Sequence, residues 1–207
     1  RKAYTVAEEK CFSVDLRAVA NMAFADPVAE DQKGGFFDNG PVHDLSGFPS
    51  GRQTFLGVPF DIIDPQANDG RSCLVLKGGQ KPFFPIEAKE IAVNQPAARL
   101  FFVHTCGWCQ ANQEVLRYTI NYEDGTSQAV KVNGKQEIGD WYNLIDGMTS
   151  NCQIAWEKQV VDWRGTFVGA YAMEWKNPHP ELKIVSIDIQ SAGKSVPAVI
   201  AISGERP

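Results

Sequence analysis

The chain contains 207 residues, of which 43% are hydrophobic and 22% are charged, and this composition is typical of a folded protein and excludes intrinsic disorder. Its net charge of −5, without any run of Lys or Arg, argues against a nucleic-acid partner. No apolar stretch approaches the roughly 20 residues that span a bilayer, so we expect no membrane partner.

The sequence of the first third of the chain predicts short strands that are separated by one long loop. Residues 12–23 are predicted to form a strand that leads into a turn, and residues 54–63 are predicted to be extended, with Pro59 at an edge or a bulge. Residues 26–49 are rich in Gly, Asp, Asn and Pro, which is typical of a loop and too polar for a core element. Loops of this length in compact proteins are often functional.

The clearest predicted element is a hairpin over residues 116–132. Apolar and polar side chains alternate from Leu116 to Tyr122, which is the period of a half-buried strand. The pair Asp124-Gly125 follows, and such a pair between two alternating runs is a strong hairpin signal.

Further strands are predicted along the rest of the chain. Residues 100–104 form a continuous apolar run that suits a central buried strand. Val185, Ile187 and Ile189 are predicted to share one face of a strand over residues 184–190. Shorter strand-like runs occupy residues 73–76, 87–93, 154–160, 167–175 and 198–203. Two packed antiparallel sheets bury many short amphipathic strands, so the sequence predicts an all-β antiparallel sandwich, formed by one domain over residues 1–207.

The sharpest local motif is Cys-Gly-Trp-Cys at residues 106–109. Cysteines at this spacing are typical of thioredoxin-like redox sites, but those sites need a following helix, and here strand alternation resumes at Leu116. The alternatives are a surface loop with a local disulfide or two free thiols, or half of a zinc site with His104 and Cys152 as partners.

Tryptophans between turn residues are candidate platforms for a sugar. An indole face stacks on a sugar ring because the axial C–H groups of the ring present an apolar surface to the π cloud. The alternative is that these large side chains fill the core. The predicted ligand-binding residues are Trp108, Trp141, Trp163, Asn39, His104 and Asp140.

The long loop also predicts a calcium site. Asp31, Asp38 and Asp44 lie with Asn39 in a glycine-rich stretch, and calcium prefers six to eight oxygen ligands of this mixed kind. The spacing is not that of an EF-hand loop. The alternative is a solvated loop in which these side chains cap turns.

Catalytic patterns are sparse. His104 ends a predicted buried strand and is a candidate base, but no Gly-x-Ser-x-Gly sequence supplies a nucleophile. Glycoside hydrolysis by two carboxylates would first involve Asp140, Asp162 and Glu174, each of which neighbours a Trp. We therefore expect a non-catalytic protein. The alternative is a glycoside hydrolase or polysaccharide lyase that uses His104 and nearby carboxylates.

Several stretches resemble a domain of multidomain bacterial glycoside hydrolases. They are GGFFDNG at 34–40 with Asp44-Leu45, FLGVPFDI at 55–62, LFFVHT at 100–105 with Trp108, YEDG at 122–125, Asp140-Trp141, and WKNPHP at 175–180. From about residue 12 to residue 204 the chain resembles the galactose-binding-like β-jelly-roll superfamily, to which many carbohydrate-binding modules belong. The resemblance implies a jelly roll with a structural calcium near the first loop and the last strands, which by position falls at Asp31, Asp38 or Asp44, with Asp188.

The expected function is a non-catalytic carbohydrate-binding or accessory module of an extracellular polysaccharide-processing protein. Its partners would be a polysaccharide or oligosaccharide and a catalytic domain of the same polypeptide. The chain begins at Arg1 without an apolar leader, so we expect a part of a longer protein that is secreted, periplasmic or on the cell surface. A second alternative is a structural domain that braces a catalytic neighbour and binds no sugar.

Overall fold

The computed structural model describes residues 1–160 and 164–207, and its regular structure is almost entirely β. Two short 3-10 turns cover Glu8–Lys10 and Pro65–Ala67. The strands are β1 (Cys11–Val14), β2 (Gly51–Phe55), β3 (Val58–Ile62), β4 (Leu74–Val75), β5 (Glu87–Pro96), β6 (Arg99–Gly107), β7 (Glu114–Tyr122), β8 (Ser127–Asn133), β9 (Cys152–Gln159), β10 (Phe167–Lys176), β11 (Lys183–Ser191) and β12 (Val196–Glu205).

Two main antiparallel sheets pack as a sandwich, which confirms the predicted all-β fold. The larger sheet has the order β1-β12-β6-β10-β9, with β4 paired to β12, and the smaller sheet has the order β5-β11-β7-β8. The strands β2 and β3 form a separate hairpin. The predicted hairpin over residues 116–132 is also confirmed, because β7 pairs with β8 through registers such as Asn121 with Ser127.

The core between the sheets explains the alternating strands. Leu100 and Phe102 of β6 face Tyr118 and Ile120 of β7 in one buried cluster, which also contains Ile187 of β11. Each strand of the smaller sheet buries only the side chains of one face, and this produces the period of two that the sequence shows.

The continuous apolar run in β6 has a different cause, because the larger sheet is covered on both faces. Phe101 and Val103 point away from the sandwich core and join a second buried cluster, which includes Phe60 of β3 and Phe37 of the long loop. The predicted central position of residues 100–104 is confirmed, since β6 lies between β12 and β10.

Residues 54–63 are not one extended segment as predicted, because the chain reverses within them. Leu56 and Gly57 have φ angles of 50° and 83°, the left-handed conformation of a tight turn between β2 and β3. A Cβ on Gly57 would lie 2.7 Å from the backbone oxygen of Tyr4, so this position has no room for a side chain. Pro59 lies in β3 opposite Thr54, in a two-stranded ribbon that has only edges.

The predicted common face of Val185, Ile187 and Ile189 is wrong for Val185. The pairing of β11 shifts between Ile184 and Ser186, and this irregularity places Ile184 in the core while Val185 is 37% exposed. A bulge inserts one extra residue into a strand and so reverses the alternation at that point.

The long loop over residues 26–49 contains no strand, as predicted, yet it is not simply polar and solvated. Phe36, Phe37 and Leu45 are completely buried against the outer face of the larger sheet. The loop is therefore a cover for that face, held by apolar anchors at intervals along a polar chain. Among the described residues, no helix has the length and apolar character needed to cross a membrane.

Candidate functional site

Three aspartates of the long loop converge on one point. Asp26, Asp31 and Asp38 each offer a carboxylate oxygen, and these atoms lie within 4.8 Å of one another. Asp26 and Asp38 are buried, whereas Asp31 is exposed. This acidic cluster could hold a metal ion, because oxygen atoms at such separations can share one hard cation.

Backbone amides orient the carboxylates of the acidic cluster. The Asp38 carboxylate accepts hydrogen bonds from the backbone N–H of Asp31 at 3.1 Å and of Gln32 at 3.3 Å. Asp26 Oδ2 accepts a hydrogen bond from Gly40 N at 2.6 Å. These bonds fix the direction of two carboxylates that belong to separate turns of the loop.

The other oxygen of Asp26 has no hydrogen-bond partner. Asp26 is only 2% exposed, and its Oδ1 is one of two buried side-chain polar atoms of the described residues that lack a partner. Leaving a buried carboxylate oxygen unpaired costs free energy, and a cation is one way to satisfy it. This orphaned atom is an observation independent of the clustering, and it supports a cation site.

Two glycines allow the loop to close over Asp26. Gly34 has a φ angle of 74°, and a Cβ there would lie 3.0 Å from Asp26 Oδ1. A Cβ on Gly35 would lie only 1.9 Å from the backbone oxygen of Ala25. The Gly-Gly pair is therefore needed for the chain to pass next to the acidic cluster.

Of the predicted metal ligands, the structure brings Asp31 and Asp38 together. Asp44 is buried, but its carboxylate accepts hydrogen bonds from the backbone N–H of Asp26 and of Ser46. It therefore holds the backbone at Asp26 and is not itself one of the clustered carboxylates. Asp188 lies in the smaller sheet, where it accepts from Glu90 N at 2.8 Å, and it is not part of the cluster.

The sequence patterns do not identify Asp26 as a member of the acidic cluster, because it stands at the start of the loop, before Pro27. Its position in the same loop as Asp31 was a usable signal, but the chain reversal that joins them depends on tertiary contacts. Asn39 is half-buried next to Asp38 and is not one of the three clustered carboxylates.

Trp108 is the exposed tryptophan among the described residues. Its side chain is 40% exposed, and its φ angle of 53° turns the chain out of β6. The backbone oxygen of Trp108 accepts a hydrogen bond from Ser195 Oγ at 3.1 Å. Its ring centroid lies 6.3 Å from that of Phe37, so the indole rests beside the buried anchor of the long loop.

Trp141 lies in the core and not on a surface. It is 5% exposed and packs edge-on against Phe36 and Phe37, with ring centroids 5.1 and 6.0 Å away. This burial leaves no indole face for a sugar at that position. Trp163, the third predicted platform, lies outside the described residues.

Asp140 lies beside Trp108, although the two residues are far apart in the sequence. Its carboxylate accepts hydrogen bonds from Cys109 N at 3.0 Å and from Tyr142 N at 3.1 Å. Burial raises the pKa of Asp140, although these backbone hydrogen bonds oppose the increase. Asp140 and Tyr142 line a cavity of about 210 Å³ together with Cys109 and Lys135.

His104 is inaccessible from any surface. It is completely buried, with Nδ1 2.9 Å from the Tyr118 hydroxyl and Nε2 2.8 Å from the backbone oxygen of Glu137. Burial lowers the pKa of His104 to about 4. With both ring nitrogens paired inside the core, His104 is not positioned to contact a substrate or a sugar.

Among the described residues, neither ring nitrogen of His104 pairs with another candidate catalytic group. Glu174 pairs with Arg99 at 2.8 Å on the larger sheet, and this salt bridge occupies its carboxylate. Asp162 lies outside the described residues. The position of these groups gives no support to the alternative of a hydrolase or lyase that uses His104.

Comparison with models of known protein families and with curated proteins finds no match for this chain.

Proposed function

We propose that this chain is a non-catalytic carbohydrate-binding module of an extracellular polysaccharide-processing protein, with a galactose-binding-like jelly-roll fold. Such a module would act outside the cytoplasm, attached to a catalytic domain of the same polypeptide. The observation that carries the proposal is the exposed indole of Trp108, which lies in the loop between β6 and β7 and directly precedes Cys109, a lining residue of the Asp140 cavity.

The surroundings of Trp108 suit a sugar ring. The indole supplies the apolar surface on which the C–H face of a sugar stacks. Asp140 supplies a carboxylate for hydroxyls in the cavity, which is also lined by Cys109, the residue after Trp108. Each carboxylate oxygen has more than one acceptor site, so Asp140 can bind a hydroxyl while it keeps its backbone hydrogen bonds.

A calcium ion in the acidic cluster would support this surface. Asp38 directly follows Phe37, whose ring lies beside Trp108 and would be 3.1 Å from a Cβ added to Gly107. An ion bound by Asp26, Asp31 and Asp38 would therefore restrain the loop that carries the neighbour of the indole. Carboxylate ligands from an irregular loop favour calcium, which accepts irregular geometry, over magnesium.

The proposal is tested by affinity electrophoresis of the chain in gels that contain plant, algal or host polysaccharides. We expect one class of glycan to retard the protein, and Trp108→Ala to remove the retardation because the stacking surface is lost. Stacking on an aromatic ring contributes on the order of 1 kcal/mol beyond the buried area, and the area itself contributes more.

Phe83→Ala is the matched control, because Phe83 is another exposed aromatic side chain, 37% accessible, and does not line the Asp140 cavity. This variant should be retarded like the original chain. The proposal fails if no glycan retards the protein, or if both variants lose retardation equally.

A second candidate function is a structural domain that braces a neighbouring domain. Ile145 is 51% exposed and Met148 is 41% exposed in the loop after Trp141, and Leu144 N bonds the backbone oxygen of the exposed Phe167. Exposed apolar side chains close together are typical of an interaction surface. Absence of glycan binding would favour this function.

A further inference from the structure

Cys109 of the 106–109 motif lines a cavity, whereas Cys106 is buried, and the function proposed above gives neither thiol a role. Cys106 is completely buried near the end of β6, and Cys109 is half-buried in the following loop. The Cys106 thiol lies 3.5 Å from the backbone oxygen of Gly139, and the Cys109 thiol lies 3.9 Å from that of Ile138. The two thiols therefore lie against the carbonyl groups of two consecutive residues, Ile138 and Gly139.

One short segment of backbone holds both cysteines. Cys106 N donates to Gly139 O at 3.1 Å, and Cys106 O accepts from Trp141 N at 2.9 Å. Cys109 N donates to the Asp140 carboxylate at 3.0 Å. Because every one of these bonds ends on residues 139–141, the relative position of the two thiols is fixed by the fold.

The two thiols differ in access and in acidity. Cys109 lines the cavity of about 210 Å³, which has room for several molecules of the size of water, whereas Cys106 lies behind it. The hydrogen bond from Cys106 lowers the pKa of Cys109, against the opposing effects of burial and Asp140, whereas burial raises the pKa of Cys106. The sulfur that a small reagent can reach is thus the one that ionises more readily.

The remaining three cysteines lack these properties. Cys73 and Cys152 are buried, and burial raises the pKa of each to about 12. Cys11 is half-buried, and burial raises its pKa as well. All five cysteines have free thiols, so Cys109 differs from the others in its access to the cavity and its pKa and not in its redox state.

We propose that Cys109 and Cys106 form a peroxide-sensitive dithiol, in which Cys109 is the reacting thiol and Cys106 closes a disulfide with it. The Cys109 thiolate attacks one oxygen of hydrogen peroxide, an S–O bond forms, the O–O bond breaks, and the departing hydroxide takes a proton to become water. The Cys106 sulfur then attacks the Cys109 sulfur, an S–S bond forms, and the S–O bond breaks. The hydroxyl leaves with the Cys106 proton as a second water, so the two sulfurs are oxidised by two electrons and the peroxide is reduced.

The test is oxidation of the reduced full chain with one equivalent of hydrogen peroxide, followed by alkylation in denaturant and mass spectrometry. Five thiols are alkylated before treatment. After treatment we expect three, because the new bond consumes two, and we expect a peptide that links residues 106 and 109. Five alkylated thiols after treatment, or a disulfide that involves Cys11, Cys73 or Cys152, would overturn the proposal.

Variants establish the order of the two steps. Cys106→Ser should stop the reaction at a sulfenic acid on Cys109 that dimedone traps, whereas Cys109→Ser should leave all four remaining thiols intact. Cys11→Ser is the matched control, because Cys11 is also half-buried, and it should form the 106–109 disulfide unchanged. In the unmodified native chain, iodoacetamide should label Cys109 at least about tenfold faster than Cys11, and equal rates would contradict the assignment without any variant.

Discussion

His104 shows how the core selects one charge state of a side chain. The carbonyl of Glu137 accepts a hydrogen bond, so Nε2 must carry a proton and donate it. Nδ1 is then the acceptor for the Tyr118 hydroxyl. A neutral imidazole satisfies both partners, and a second proton on Nδ1 would displace the hydroxyl hydrogen inside a cluster of stacked rings that includes Phe102.

We predict that this histidine makes folding pH-dependent. Its folded-state pKa of about 4 lies below the ordinary value of 6.5, so the unfolded chain binds a proton that the folded chain excludes. The stabilisation is complete above pH 6.5 and is lost as the pH falls toward 4. Between pH 7 and pH 5 the free energy of unfolding should decrease by about 2 kcal/mol from this residue, as measured by urea denaturation.

Variants separate this effect from the titration of other groups. His104→Gln should be less stable at pH 7 but should lose about 2 kcal/mol less than the original chain on the change to pH 5. An identical pH slope for the chain and for His104→Gln would disprove the assignment.

The bulge in β11 shows how an element departs from its own pattern. The sequence places Val185 with Ile187 and Ile189, yet the pairing irregularity at Ile184 turns the Val185 side chain outward. The neighbouring strands β5 and β7 decide this, because both shift register against β11 at the same point. Such a bulge cannot be seen in the alternation of one strand.

We therefore predict that a change to Thr has a small effect on stability at Val185 and a large effect at Ile187, two positions of β11. Val185→Thr should change the free energy of unfolding by less than about 0.5 kcal/mol, because the side chain is at the surface. Ile187→Thr should cost about 2 to 3 kcal/mol, because it places a hydroxyl in the core. Both residues are β-branched before and after the change, so strand propensity is matched, and equal losses in chemical denaturation would argue against the bulge.

At the scale of the whole molecule, the long loop acts as a third layer. It covers the outer face of the larger sheet with Phe36, Phe37 and Leu45, and Asp38 of the acidic cluster directly follows Phe37. Asp38 also accepts a hydrogen bond through its backbone oxygen from Lys81 Nζ at 2.9 Å, which ties the loop to a second part of the chain. An ion bound there would stabilise the folded state as a unit.

We predict that calcium raises the melting temperature. At a free concentration of about 100 times the dissociation constant, one site adds about 2.7 kcal/mol, which for a chain of this size corresponds to roughly 5 to 10 °C. Asp26→Asn should remove the shift, because it neutralises the buried carboxylate with the orphaned oxygen. Differential scanning calorimetry in excess calcium and in excess chelator gives both values.

Asp188→Asn is the control for the calcium experiment. Asp188 was a predicted ligand, but it lies in the smaller sheet and outside the acidic cluster, so this variant should keep the full calcium shift. A midpoint that is the same in calcium and in chelator would argue the site away. A shift lost in Asp188→Asn but kept in Asp26→Asn would move the site to the smaller sheet.

The strands and the fold class were predictable because their signals are local. Alternation from Leu116 to Tyr122 and the Asp124-Gly125 turn act over a few residues, so they identify β7 and β8 without knowledge of the rest of the chain. The same holds for the apolar run in β6 and for the long glycine-rich loop. Local patterns were thus enough to predict an all-β chain, its main strands, and a loop whose carboxylates could hold a metal ion.

Only the tertiary structure decided which side chains meet and which reach the surface. It buried Trp141 and His104 and left Trp108 exposed. It also brought Asp26 close to Asp38 in the long loop and placed Asp188 in the smaller sheet. Burial and ligand distance depend on chain segments that are far apart in sequence and are joined by packing. No pattern of neighbouring residues contains that information, because the free energy that fixes it comes from contacts between the layers.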